Sequence, residues 1–359
     1  MSEATEPPRH VTGLAEQRAK ARAERDFAAA DVLRAEIEEA GWLVHDTAGG
    51  FELTPKPPFE VWPTVAALPV SAAVDPPPAA EEEEETGESP GTEAMVASQV
   101  LWDASLAVSR VNEAVGVAGG TQEYAKRPTP DVTVGLVVDG GPAELRKCVD
   151  ALIAHTDAGI LALDLGDVEG AGTVLHELAA AHPGRIRDLH VAERPHWRDG
   201  SAGWGASRTK LLRIDTADVH VVLETSTVLD GDAVTPLVEA VRAGATAAGW
   251  RGAEPGAEGE WHDAGPGRVR ALRGNLFAVR RSAALEAGGF PDRAFFHRHA
   301  DLEFSLTLPG ELVVPEARLP VHQERGRDDV DQAYEDRESR RTHDRVLNLL
   351  RTSGPSRTP

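Results

Sequence analysis

The chain has 359 residues, 41% of them hydrophobic, enough for one large α/β domain with a small companion, and no apolar run reaches the length of a membrane-spanning helix. Its formal net charge of −22 disfavours nonspecific binding to nucleic acid or to an anionic membrane. The single cysteine, Cys148, excludes intramolecular disulfides and cysteine-based zinc sites. The opening MSEATEPPRH lacks the basic-then-apolar order of a signal peptide, which predicts a cytoplasmic protein.

Residues 1–55 read as a separate helical hairpin module with a short β-hairpin. LAEQRAKARAERDFAAADVLRAEIEEAG is rich in strong helix formers, and Phe27, Ala30, Leu33 and Ile37 recur at helical spacing as one apolar stripe. Gly41 stops the helix, and WLVHDTAGGFEL predicts two strands around Gly49-Gly50. Residues 56–93 hold proline clusters and the run Glu81 to Glu85, which predicts a disordered linker, read either as a solvated spacer or as an acidic docking tail. Residues 94–130 form a predicted helical connector, its helix running from Ala94 to Val117 and ending at Gly119-Gly120.

The main domain is expected over 131–325. VTVGLVV, Val132 to Val138, is a β-branched run of the kind buried in a parallel sheet. A helix over 142–155 has proline in its first turn; a strand over 160–165, a helix over 171–182 and a strand over 186–191 follow. This alternation predicts the nucleotide-binding half of a doubly wound sheet, with ligands at the carboxyl ends of the strands. Val219 to Leu223 predict another strand and 233–243 a helix. Leu276 to Val279 read as a strand, 282–287 as a short helix ended by Gly288-Gly289, and a further helix opens at about Ala300. Residues 326–359 are read as a charged helix docked by Val346, Leu347, Leu349 and Leu350, with a disordered end.

The ordered series in GNLFAVRRSAALEAGGFPDRAFFHRHADLE resembles the acceptor-side half of family-2 glycosyltransferases: strand, Arg-Arg, short helix, Gly-Gly-Phe, Phe-Phe, then Asp-Leu at a helix start. The resemblance covers about Asp131 to Gln323. It implies the GT-A fold, a doubly wound mixed sheet, and inverting transfer of a sugar from a nucleotide-diphosphate sugar to an acceptor that the sequence does not name. By the same resemblance, Asp139 and Asp164 hold the nucleoside, although Asp164 reads equally as a turn-forming residue before glycine. Arg208 reaches a donor phosphate, or else is a surface residue of an amphipathic helix.

The family binds Mg or Mn through an Asp-x-Asp, because hard cations take carboxylate oxygens. Here that place holds Glu224-Thr225-Ser226, so a hydroxyl replaces one carboxylate. Asp230 and Asp232 follow, read as compensating acids or as N-terminal charges of the next helix. The family's acidic pair, whose second member is the catalytic base, falls on Arg298 and His299. His299 has a side chain suited to proton transfer at neutral pH, with Asp301 orienting it or acting as base itself. The alternative makes His297, Arg298 and His299 polar loop residues. His322, after Pro320-Val321, matches a histidine that completes the metal site in some relatives, so the resemblance implies Glu224 and His322 as metal ligands, a set that His297 and His299 could join; the alternative makes His322 an ordinary polar residue at a strand end.

Arg18, Ala21-Arg22, Asp26-Phe27, Ala30-Asp31, Leu33-Arg34, Gly41 and Asp46-Thr47 make the N-terminal module similar to the C-terminal tail of cysteinyl-tRNA synthetases. In those enzymes this region lies in the tRNA-contacting part; an interaction module for a protein partner is the other reading. For the main domain two readings stand: a glycosyltransferase with degenerate metal and base motifs, and a noncatalytic GT-A-like domain that binds a nucleotide, a sugar or a protein partner.

Overall fold

The computed structural model describes residues 7–47, 50–70, 131–256, 260–324 and 330–352. The expected connector helix from Ala94 to Val117, most of the linker and the end of the tail lie outside the described residues. The chain divides into two compact units, Met1–Trp62 and Pro63–Pro359.

In the first unit, α1 (Arg9–Ala23) and α2 (Phe27–Glu39) precede an antiparallel pair, β1 (Trp42–Thr47) and β2 (Gly50–Pro55). The helix breaks where Arg25 takes a positive φ of 62° and the Asp26 carboxylate caps the Ala29 N–H at 3.0 Å. This break turns the predicted stripe: Ala30 and Ile37 are buried, whereas Phe27, now the first helical residue, is 59% exposed. Val11, Ala15, Ile37 and Trp42 form the unit's core.

The second unit is built on an eight-stranded mixed sheet. Its strands are β3 (Val132–Val138), β4 (Gly159–Leu165), β5 (Ile186–Val191), β6 (Val219–Leu223), β8 (Ala247–Gly249), β11 (Gly267–Val269), β13 (Leu276–Arg280) and β14 (Leu312–Val314). The order β11-β14-β8-β13-β6-β3-β4-β5 puts β3 at the point where the chain reverses its direction of winding, with β6 and β4 parallel on either side. β13 runs antiparallel to both of its neighbours. This is the doubly wound mixed sheet that the sequence predicts. Between these strands lie β7 (Thr227–Leu229), which pairs with β15 (Val321–Gln323), and β9 (Gly252–Pro255), flanked by β10 (Trp261–Ala264) and β12 (Ala271–Leu272).

Helices cover both faces. Because strand side chains alternate, Val219, Val221 and Leu223 of β6 enter one core while Val222 enters the other. The first core is closed by α3 (Pro142–His155), α4 (Ala171–Ala181) and α6 (Val234–Arg242). The second receives α5 (Trp204–Ile214), α7 (Arg281–Glu286) and α8 (Ala300–Thr307), around stacked Phe290 and Phe304 with ring centroids 4.0 Å apart. The long helix α9 (Gln332–Thr352) packs on α8, where Arg345 grips the Glu303 carboxylate with two N–H groups at 2.7 and 2.9 Å. Val346 is fully buried, as the docking expectation requires.

Residues 63–70 differ from the expected linker. Val65 and Leu68, three apart, are buried in the second unit, the Val65 N–H donates to Glu193 at 2.7 Å, and Lys210 donates to the Ala66 carbonyl at 2.8 Å. Two apolar side chains at one-turn spacing outweigh the proline-rich composition around them.

Candidate functional site

The carboxyl ends of β3, β4 and β6 open on one cavity of about 60 Å³. Val137, Asp139, Leu165 and Glu224 come from the strand ends, Trp204 and Arg208 from α5, Trp197 from the turn His196–Arg198, and His297 from the loop before α8. A parallel strand leaves its last residues beyond the ladder, so Asp139 and Glu224 project there without competing for backbone pairing.

Four polar side chains of this cavity pair across it in addition to Arg208. Trp197 Nε1–H donates to the Asp139 carboxylate at 2.9 Å. Glu224 accepts from Arg208 at 2.6 Å and from Trp204 Nε1–H at 3.2 Å. The Arg208 guanidinium lies 4.2 Å from the centre of the Trp204 ring and donates to the Trp204 carbonyl, so it is packed flat, buried and neutralised. Its one-turn spacing from Trp204 on α5 brings the pair together. Phe295 closes one wall, stacked on His196 at 4.3 Å, and His196 shares a hydrogen bond of 2.8 Å with the Tyr334 hydroxyl of α9.

Of the residues expected from sequence, Asp139, Arg208 and Glu224 meet here. Asp164 does not line the cavity. It shares the face of β4 that carries Ile160 and Ala162 into the first core, and it is 1% exposed beside His190. Its neighbour Leu165 points the other way and lines the cavity instead.

His299 adopts a positive φ of 66° as the N-cap of α8, which turns its ring toward α9, 3.4 Å from the Ser339 carbonyl and 5.1 Å from the His343 ring. Burial there holds its pKa below the ordinary histidine value. His297, two residues earlier, reaches the cavity mouth. Desolvation lowers its pKa too, more than the charges of Glu224, Asp301 and Asp139 raise it. The Asp301 carboxylate accepts from the Gly274 N–H at 2.7 Å and the Leu302 N–H at 2.8 Å; burial nevertheless pushes its pKa up.

His322 lies on β15 and pairs with Asp230 at 2.8 Å, both about half exposed, while Asp232 caps α6 through the N–H groups of Val234 and Thr235. Glu224 and His322 thus have separate partners. Among the described residues, the one cluster of histidine and carboxylate groups with metal-ligand proximity is His176, Asp188 and His190. Sequence reading passed over Trp197, Trp204 and this cluster. The tryptophans carry a visible signal in HWR and GWGAS, an indole N–H beside a strand end that ends in a carboxylate. Asp188 and His190 carry another, two ionisable residues at strand spacing.

No family model matches the chain. A cysteine--tRNA ligase of Opitutus terrae is 50% identical over 50 residues, 14% of this chain and 11% of that protein. The chain therefore spans a small part of this curated relative's length. Among solved structures, GalNAc-T7 with UDP, GalNAc and Mn2+ is 16% identical with a TM-score of 0.49, over 61% of this chain and 48% of that one. The mannosyltransferase PcManGT from Pyrobaculum calidifontis, with GDP-Man and Mn2+, is 12% identical with a TM-score of 0.41, over 66% of this chain and 81% of that one. No described helix is long and apolar enough to cross a membrane.

Proposed function

We propose that residues 131–323 are a glycosyltransferase-like domain whose donor site, at the carboxyl ends of β3, β4 and β6, is held closed by its own side chains. The carrying observation is the mutual pairing of Asp139 with Trp197 and of Glu224 with Arg208 and Trp204. A cavity of about 60 Å³ is small beside the roughly 300–1,000 Å³ that ligand pockets occupy. Two carboxylates and one guanidinium leave the lining with one net negative charge, which repels a nucleotide diphosphate. Donor binding would then require the indoles to swing away, and Glu224 or Asp139 would hold a divalent cation. Those two carboxylates offer hard oxygen ligands suited to Mg or Mn, which would offset charge on a leaving diphosphate. His297, which lines the cavity, is the better placed of the loop histidines to take a proton from an acceptor hydroxyl, with His299 and Asp301 supporting the loop.

The test is thermal stabilisation by UDP, GDP, dTDP and their common sugars, with and without Mn2+. One nucleotide that stabilises only with metal is expected, since a ligand at a hundred times its Kd adds about 2.7 kcal/mol. Trp197→Phe, which removes one donor from Asp139, should strengthen that binding. Flat curves for both proteins would sink the donor-site reading. They would favour a noncatalytic domain that binds a partner, which the hydroxyl of Ser226 in place of a second carboxylate already supports.

A further inference from the structure

The α4 face of the sheet carries a second polar centre that takes no part in the donor cavity. Asp188 and His190 stand two apart on β5, so the pleat aims both at α4, from which His176 meets them. Asp188 Oδ2 lies 2.9 Å from His176 Nδ1 and 3.0 Å from His190 Nε2. The ligand atoms of the three residues all fall within 4.8 Å of one another.

We propose that His176, Asp188 and His190 bind a borderline divalent transition-metal ion of the zinc class, with water in the fourth position. Three arguments support this. Two imidazole nitrogens and one carboxylate oxygen are the donor set such ions prefer. Tetrahedral bonds of about 2.0 Å place neighbouring ligand atoms roughly 3.3 Å apart, so the two Asp188–histidine separations would open by a few tenths of an ångström while the two histidine nitrogens, within 4.8 Å of each other, settle to the same spacing.

The third argument is the surrounding shell. The other ring nitrogen of His190, Nδ1, lies 3.3 Å from Asp164 Oδ2, and both side chains are almost fully buried. An outer carboxylate of this kind holds the Nδ1 proton and fixes the ring, so that an ion would take Nε2 in place of the proton it now shares with Asp188. Asp164 is itself held by the Asp167 N–H at 3.2 Å and by the absence of a side chain at Gly172, where a Cβ would collide with the carboxylate. His176 is the more open end, about one third exposed, and gives the ion and its water a way in. The site joins α4 to β5, the edge strand of the sheet, and its expected role is to clamp that edge. The proposal stands whether or not the donor cavity binds a nucleotide.

The experiment uses the full-length, tag-free protein, stripped with a chelator and titrated with Zn2+ and, separately, Co2+. One equivalent of Zn2+ should bind and raise the Tm, and Co2+ should give the intense visible bands of a four-coordinate ion. His176→Ala, which alters the half-open end, and Asp188→Asn should each weaken Zn2+ binding at least tenfold. No stoichiometric binding, or equal affinity in wild type and both variants, would overturn the site. If a variant fails to fold, the cobalt spectrum and stoichiometry of the wild type still decide.

Discussion

The strand-end cavity and the His–Asp cluster use neighbouring residues of β4, Leu165 on one face and Asp164 on the other, yet they treat carboxylates in opposite ways. In the cavity, Asp139 and Glu224 meet indole N–H groups and a guanidinium, donors that stay protonated throughout the accessible pH range. In the cluster, Asp164 and Asp188 meet imidazoles, whose protons exchange readily for a metal ion. The first arrangement locks a site shut. The second leaves one ready for an ion.

The largest test of this contrast is Arg208→Ala. It leaves Glu224 beside one indole in a largely buried place and should cost about 3 kcal/mol in chemical denaturation. A loss below about 1 kcal/mol would show that the pair does not hold the cavity closed. Trp197→Phe keeps an aromatic ring, though a smaller one, and removes one charge-assisted hydrogen bond, for an expected cost of about 1.5 kcal/mol. Measured together, the two variants separate closure by charge from closure by packing.

The pH dependence sharpens the comparison for histidines outside both centres. Burial depresses the folded-state pKa of His299 below its ordinary value of 6.5. The fold is therefore fully stabilised above that value and loses stability as pH falls from it toward the folded-state pKa. His299→Gln should flatten the Tm profile between pH 7 and pH 5; an unchanged slope would place the titration elsewhere. The smallest effect belongs to His322→Ala, because its pair with Asp230 is half exposed and worth no more than about 0.5 kcal/mol. A larger loss that appears only with Mn2+ would return His322 to the donor site.

The sheet was legible because buried parallel strands such as β3 are rich in β-branched residues and alternate with helices, and β3, β5 and β6 match the ranges read from sequence residue for residue. Asp139, Arg208 and Glu224 were legible as a group because strand ends and the following helix converge in any doubly wound sheet. What the sequence hid depends on single dihedral angles and on parity. His299 and His297 differ by two positions in one loop, yet His297 lines the cavity while His299, at a positive φ, lies against α9. Asp164 and Leu165 differ by one position on a strand, and the pleat sends the charged one inward. The docking of Val65 and Leu68 was masked by prolines, whose composition outweighs two apolar residues in any window average.

Glu193 has a consequence for where the working protein begins. One of its carboxylate oxygens holds the Val65 N–H and the other holds the Ser201 hydroxyl at 2.7 Å, so residues ahead of the sheet brace the loop that carries Trp197. A fragment cut at residue 131, where the sheet starts, would keep every strand of the eight-stranded sheet yet lose this brace. The smallest piece that retains the cavity's wall as it stands must also include residues 63–70.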